Sequence, residues 1–290
     1  MREWVQNRSS VVLCLLGAWV MAGASGMTSD KGTTTDVFVS APINSNSAGK
    51  GGSLATQSVV RIICPKENSA GSGFLHKSGK ILTADHVVRS CSEILILPTA
   101  GSTIRASVVA MDDEIDLALL VPAKALPASP LPISTRASFS IGTQVSTWGF
   151  PGGYLGTVPI LSVGYLSGLE VTKLPSGRIL RQWVVNAAFN RGNSGGPLLL
   201  IESGEVIGVV SSKLAPISSF AKSALDALEK QQSGCTFEAS RPDGSKVTLT
   251  EGQVIGAVLN ELRNQVQLVI GKAVLIEDVR SFLKEHGVEP

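Results

Sequence analysis

From Gln57 to about Lys213, apolar residues come in short, β-branched runs broken by Gly, Pro, Ser or Asp. The first series is SVVRIIC, GSGFLH, KILTADHVV, EILILP, IRASVVAMD and DLALLVP. The second is QVSTWGF, TVPILSVGYLSGLE, RQWVVNAAF, GPLLLI and EVIGVVSSK. Runs of this kind, bounded by turn residues, predict strands. Between the two series lies PAKALPASPLPISTRA, whose prolines suit a link between two halves. Regular strand spacing with turn signals predicts barrels or a sandwich, an all-β fold class.

The period then changes. In SSFAKSALDALEKQ, Phe220, Ala224, Leu225 and Leu228 share one helical face, and Gly234 can stop that helix. TFEASRPDGSKVTLT predicts a hairpin around Pro242, Asp243 and Gly244. Thr250 with Gln253 three residues on makes a capping box. The helix it opens carries Val254, Val258, Leu259 and Leu262 on one face. VQLVIGKAVL returns to strand, and IEDVRSFLKEHG closes the chain as a helix ending at Gly287. An α-β-β-α insertion, 215–264, thus interrupts an otherwise β second half.

The first residues follow another pattern. Arg2 and Arg8 precede an apolar stretch from Val11 to Ala24, and Ala22-Gly23-Ala24 offers a small-x-small cleavage site. The stretch falls short of the roughly 20 residues that span a bilayer. Residues 1–24 therefore read as an export signal, with an uncleaved membrane anchor as the alternative. Residues 25–53 are rich in Ser, Thr, Gly and Asn and predict a flexible tether. A periplasmic or secreted location permits a disulfide. Cys64 and Cys91 flank one compact stretch and are the expected pair, leaving Cys235 odd; three buried thiols are the other reading.

With 43% hydrophobic residues among 290, the chain can bury one large core or two small ones. A net charge of +2 without a basic run gives no footprint for nucleic acid. No CxxC or His/Cys cluster argues for a metal. GFLHKSGK approximates a phosphate-binding loop, but it has one residue too many between Gly73 and Gly79, and Ile81 follows Lys80. Nucleotide binding is rejected, and no cofactor is expected.

Three histidines bound the chemistry. His76 sits in a polar turn and His286 at a helix end, so both are expected to be solvent-exposed. His86, in ILTADHVV, is a polar ring delivered by an apolar strand to a loop. Asp116 heads the apolar strand DLALLV, where a buried carboxylate needs partners. Asp112, Asp113 and Glu114 just before it read as a solvated turn. Ser194 lies in FNRGNSGGPLL among three glycines and a proline. A serine hydroxyl needs a base, and the base an orienting acid. His86, Asp116 and Ser194 can fill those roles, in the chain order of the chymotrypsin class. Backbone N–H groups of Gly192 and Ser194, flanking Asn193, can hold an oxyanion.

GSGFL…ILTADHVV, DLALL and NAAFNRGNSGGPLL together resemble the trypsin-like serine proteases of the bacterial HtrA/Deg type. The resemblance covers most of 57–213 and resumes at about 266–283. It implies two orthogonal six-stranded β-barrels of the chymotrypsin-like kind across 54–290, with the site between them. It also implies endopeptidase activity on protein or peptide substrates without a cofactor. By the same resemblance, Ala188 and Phe189 border the primary specificity pocket, and Ser211, Ser212 and Lys213 form one wall. An uncharged Ala188 implies cleavage after small or medium aliphatic residues. Ser211 is placed to hydrogen-bond Asp116. The chain departs from the family at Arg191, where proline is usual, and at Asn186, where Asp is common. No PDZ domain is expected after Lys213. Asn193 cannot make the ion pair with a new amino terminus that switches on zymogen-type trypsins. The insertion leaves the wall strand directly after Lys213, so it reads either as a lid beside the cleft or as peripheral decoration. A binding protein on a protease scaffold, latched until a partner opens it, is the rival reading of the same residues.

Overall fold

Alternation within the apolar runs decides the architecture. The computed structural model describes residues 52–136, 138–211, 219–232, 234–240, 245–265 and 270–290. The expected export signal, nearly all of the expected tether, Ser212, Lys213 and the turn at 242–244 lie outside the described residues.

Six strands close the first barrel: β1 (Val59–Cys64), β2 (Ser69–Leu75), β3 (Ile81–Thr83), β4 (Ile94–Leu97), β5 (Ile104–Asp112) and β6 (Leu117–Pro122). Their order around the barrel is β1-β2-β3-β6-β5-β4, with antiparallel pairing. The second barrel uses β7 (Gln144–Gly149), β8 (Ile160–Lys173), β9 (Ile179–Val185), β10 (Pro197–Leu200), β11 (Val206–Val210) and β14 (Gly271–Leu275). Its order is β10-β11-β14-β9-β8-β7. β12 (Thr236–Ser240) and β13 (Lys246–Thr250) fall between β11 and β14 and belong to neither barrel.

Side chains on a strand alternate between faces, and in β6, β10 and β14 both faces are buried. In β6, Ala118 and Leu120 fill the first barrel, whereas Leu117 and Leu119 fill a separate core at the seam between barrels. In β10, Leu198 and Leu200 fill the second barrel and Leu199 the seam. Val274 of β14 joins the seam between Ala273 and Leu275 of the barrel interior. This explains the unbroken apolar runs. Each buried aliphatic side chain contributes about 2 kcal/mol, and a one-residue register slip would exchange the two sets.

The seam is sealed by α5 (Ile276–Glu285), whose Ile276, Val279, Phe282 and Leu283 recur on one face and enter that core. The proline-rich link is pinned to both barrels. Leu131 N–H donates to the Leu75 carbonyl (3.1 Å), Ser134 N–H to that of Val206 (2.9 Å), and Val206 N–H to that of Pro132 (2.8 Å). Arg178, at the β8–β9 turn, ties the second barrel to Asp112 (2.9 Å) and Glu114 (3.0 Å) of the first.

A short helix, α1 (Gly52–Ser58), starts at the last two residues of the expected tether and leads into β1. Ser58 Oγ, donating to the Leu54 carbonyl (2.8 Å), and buried Ala55 give this segment a structural place. Within the barrels one expectation is corrected, the exposure of His76, which is buried at 1% exposure. It follows β2 and opens the expected turn, its carbonyl accepting the Gly79 N–H (2.9 Å) and its Nδ1 the Ser78 N–H (3.2 Å). Burial, helped by Lys77 and Lys80, pushes its pKa down to about 4. His286 is exposed as expected and packs on the Phe282 ring.

The insertion is a unit of its own. α3 (Ser219–Lys230), the β12–β13 hairpin and α4 (Glu251–Gln265) follow the expected order. The capping box forms: Thr250 N–H donates to Gln253 Oε1 (2.9 Å) and Gln253 N–H to Thr250 Oγ1 (3.3 Å). The buried face of α4 differs from expectation, since Leu259 is 47% exposed. Gly252 and Gly256 instead face α3, where a Cβ would stand 2.2 Å from Gln231 and 3.2 Å from Glu229. The absence of side chains lets the helices approach there.

Cys64 and Cys91 form a disulfide with Cα atoms 5.4 Å apart, and Cys235 is exposed. The bridge joins the end of β1 to the chain just after α2 (Asp85–Val88). A loop of 27 residues predicts that Cys64→Ser with Cys91→Ser costs about 3 kcal/mol, read from urea denaturation. Acid sensitivity is expected from His76. Its native pKa lies below its ordinary value, so the unfolded chain binds the extra proton. Stability is full above pH 6.5 and falls, by at most about 1.4 kcal/mol per pH unit, as pH drops toward 4. His76→Gln should flatten that slope in denaturation curves taken across this range.

Candidate active site

β3 runs directly into α2, and this short connection delivers His86 to the seam. The His86 N–H donates to Asp116 Oδ1 (3.1 Å), and Nδ1 stands 2.9 Å from both carboxylate oxygens. An Nδ1–H that donates to the carboxylate leaves Nε2 as the ring's acceptor. The His86 side chain is 31% exposed, whereas Asp116 is 1% exposed. The ring therefore has a buried anchored edge and an open one.

Asp116 adopts a left-handed backbone, φ 62°. That conformation costs about 1 kcal/mol or more for a residue with a Cβ and is best tolerated by Asn and Asp. The turn before it is held by Asp112 Oδ1, which accepts the N–H groups of Glu114 (3.1 Å) and Ile115 (3.2 Å). The expected solvated turn thus does structural duty as a cap, with Asp113 exposed at its tip. Asp116 Oδ2 accepts the Ser211 hydroxyl. Burial works to raise the Asp116 pKa, but His86 and the Ser211 hydroxyl outweigh it and hold the carboxyl below its ordinary value.

The loop of Ser194 is stitched to the same place. Gly195 N–H donates to the Val210 carbonyl (2.7 Å) and Val210 N–H to that of Gly196 (2.9 Å), one residue before Ser211. The Ser194 carbonyl accepts the Ser72 N–H (2.8 Å), and Ser194 is 3% exposed. At Gly195 (φ 82°) a Cβ would stand 2.2 Å from Thr83 Oγ1 and 2.8 Å from Ala84 N. Glycine is required there because the turn presses on the strand end two residues before His86. His86, Asp116 and the Ser194 loop therefore meet at the seam.

The preceding loop is held by its carbonyls. Gly152 N–H donates to the Arg191 carbonyl (2.6 Å), and Ser72 Oγ donates to that of Gly192 (2.7 Å). Gly192 has φ 97°, and a Cβ there would stand 2.3 Å from the Phe150 carbonyl oxygen. Asn193 is buried, its Nδ2 donating to the Ala188 carbonyl (3.3 Å). The Arg191 residue is exposed. Asn186 Oδ1 accepts the Tyr165 N–H (2.6 Å), near the β8 irregularity at Leu166 to Gly168. Ala188 is half-buried. Phe189 sits in the second-barrel core, so close to Gly271 that a Cβ there would lie 2.0 Å from its ring.

Sequence reasoning missed Ser72. Its N–H, hydroxyl and carbonyl bind Ser194, Gly192 and Thr83 Oγ1, and its hydroxyl oxygen accepts the Phe150 N–H (2.9 Å). The signal was its setting, Gly71-Ser72-Gly73. A Cβ at Gly71 would stand 2.6 Å from Val87 of α2, so the glycine lets α2 sit against β2.

Two closed six-stranded antiparallel barrels sharing a seam define the chymotrypsin-like fold. Residues 71–209 match the model of the trypsin-like peptidase domain. Residues 71–209 are thus similar to the trypsin-like peptidase domain, and the curated proteins that the chain resembles carry Do-like protease and DegP-like serine endoprotease names. It is 36% identical over 152 residues to Protease Do-like 1, chloroplastic, of Arabidopsis thaliana, covering 51% of this chain and 34% of that protein. It is also 36% identical over 150 residues to a probable periplasmic serine endoprotease DegP-like of Hahella chejuensis, covering 51% and 30%. The chain thus spans about a third of the length of these curated relatives. The active form of the Rv3671c protease from M. tuberculosis shares the fold, with a TM-score of 0.56 at 19% identity over 91% of this chain and 96% of that one.

Ser211→Ala leaves a buried carboxylate short of one donor, at a cost of about 1–3 kcal/mol. Because the native Asp116 pKa is depressed, this loss should be full at pH 7 and shrink once pH falls through that pKa. Urea denaturation of both proteins in a pH series from 7 downward measures it.

Proposed function

We propose that the chain is an exported serine endopeptidase that cleaves protein or peptide substrates. The supporting observation is the chain of contacts from the His86 ring to the buried Asp116 carboxylate, to Ser211, and back through Val210 to the Ser194 loop. His86 Nε2 takes the Ser194 hydroxyl proton as Oγ bonds to the peptide carbonyl carbon. Asp116 keeps the ring in the tautomer that can accept it and stabilises the imidazolium. The N–H groups of Gly192 and Ser194 hold the oxyanion. The C–N bond then breaks as His86 gives its proton to the leaving amine. Water repeats these steps on the acyl-enzyme, regenerating Ser194 and releasing the acid.

Specificity for small or medium aliphatic residues follows from Ala188, which carries no charge to receive Arg or Lys. Export follows from the Arg-flanked apolar stretch at the N-terminus, and relatives carry periplasmic and chloroplastic names. Asn193, buried and bonded to Ala188, is already seated without a new amino terminus.

The purified chain should label with a fluorophosphonate probe and cleave fluorogenic peptides after Ala, Val or Leu in preference to Arg or Lys. Ser194→Ala should abolish labelling, and Asp116→Asn should lower kcat on the order of 10⁴-fold. A folded wild-type chain that takes no probe is a latched binding protein, and the protease reading fails.

A further inference from the structure

The loop that follows β7, Phe150-Pro151-Gly152-Gly153-Tyr154-Leu155-Gly156, contains three glycines and has little stiffness of its own. Yet it backs the oxyanion loop directly, through the hydrogen bond from Gly152 N–H to the Arg191 carbonyl (2.6 Å). In a trans peptide the carbonyl and the next N–H point in opposite directions. Holding the Arg191 carbonyl toward Gly152 therefore aims the Gly192 N–H away from this loop. If the loop moves, that peptide loses the contact that fixes its direction.

The stiffness comes from the other barrel. Arg61 lies on β1, and its Nη2 donates to the carbonyls of Tyr154 (2.7 Å) and Gly156 (3.0 Å). Its guanidinium carbon stands 4.7 Å from the centre of the Phe150 ring and 6.0 Å from that of Tyr154. One side chain thus grips both ends of the loop, through two main-chain oxygens and two aromatic faces. Phe150 is further tied through its N–H to Ser72 Oγ (2.9 Å), whose hydroxyl holds the Gly192 carbonyl.

We propose that Arg61 is a positioning residue for the oxyanion loop: by clamping 150–156 it keeps Gly152 where it orients the Gly192 N–H toward the substrate carbonyl. This rests on the reading of Gly192 as an oxyanion donor. Arg61 touches neither His86, Asp116 nor Ser194 through any of these bonds, so it acts on the transition state without contacting it. Losing one oxyanion donor outright costs on the order of 10²–10³ in kcat, and a loosened donor costs less.

The test compares full-length wild type, Arg61→Leu and Arg61→Lys, each confirmed folded by thermal melting. Arg61→Leu should lower kcat and the fluorophosphonate labelling rate by about 10- to 100-fold, with KM within about threefold. Affinity for a peptide aldehyde, which forms a tetrahedral adduct on Ser194, should fall in parallel with kcat/KM. The pH dependence of kcat/KM should keep its shape, because the His86–Asp116 pair is untouched. Arg61→Lys keeps the charge without the planar fork and should recover part of the loss; it also carries the comparison if Arg61→Leu does not fold. A folded variant with wild-type kcat, or with its loss confined to KM, overturns the role of Arg61. A folded wild type that never labels overturns instead the protease reading beneath it.

Discussion

A carboxylate buried to 1% exposure must be satisfied where it stands, and Asp116 sets the terms for everything around it. Its donors come from separate parts of the fold. His86 supplies its ring and main-chain N–H from α2, and Ser211 supplies its hydroxyl from the end of β11. Those elements belong to different barrels, so satisfying one side chain fixes their relation. The same demand explains the left-handed backbone of Asp116, which the apolar strand behind it leaves as the way to turn the carboxylate inward. A neutral residue would ease the burial but would not hold the ring in the tautomer that leaves Nε2 free to accept a proton.

The strands were legible because apolar runs bounded by Gly, Pro and Asp are a local signal, and local signals survive without knowledge of partners. The capping box at Thr250 and Gln253 was legible for the same reason. His86, Asp116 and Ser194 stood out because each is a polar residue in a setting whose dull explanation is weak. Other features depend on what lies opposite. His76 looks exposed beside Lys77, Ser78 and Gly79, yet it is buried, and no neighbour in sequence announces that. The face of α4 was misjudged because apolar side chains were counted and glycines were not. Gly252 and Gly256 bury their helix by having nothing to put in the way.

Ser72 and Arg61 were harder to see, and for one physical reason. Both act on main-chain carbonyls of loops in the opposite barrel, and main-chain carbonyls carry no sequence signature. The oxyanion loop and the 150–156 loop are rich in glycine because their backbones approach each other too closely for side chains, as at Gly192 and Phe150. Glycine permits that approach but does not enforce it. Enforcement falls to side chains of the first barrel that reach across the seam. A site built this way can be identified from its reactive residues well before its supporting residues are known.

The insertion illustrates a different economy of the fold. Ser211 N–H donates to the Lys272 carbonyl (2.9 Å), and Val210 pairs with Ala273. The chain therefore leaves and re-enters the second barrel at neighbouring points of one ladder. Closure entropy rises only slowly with loop length, so a long segment between such points strains neither strand. The segment then needs stability of its own, and its local devices supply it: a hairpin, a reciprocal cap at Thr250, and a glycine-mediated contact of α3 with α4. Ser211 remains the last residue of the wall that both the barrel and Asp116 hold. Whatever follows it can vary in sequence and length while the carboxylate beneath His86 keeps its second donor.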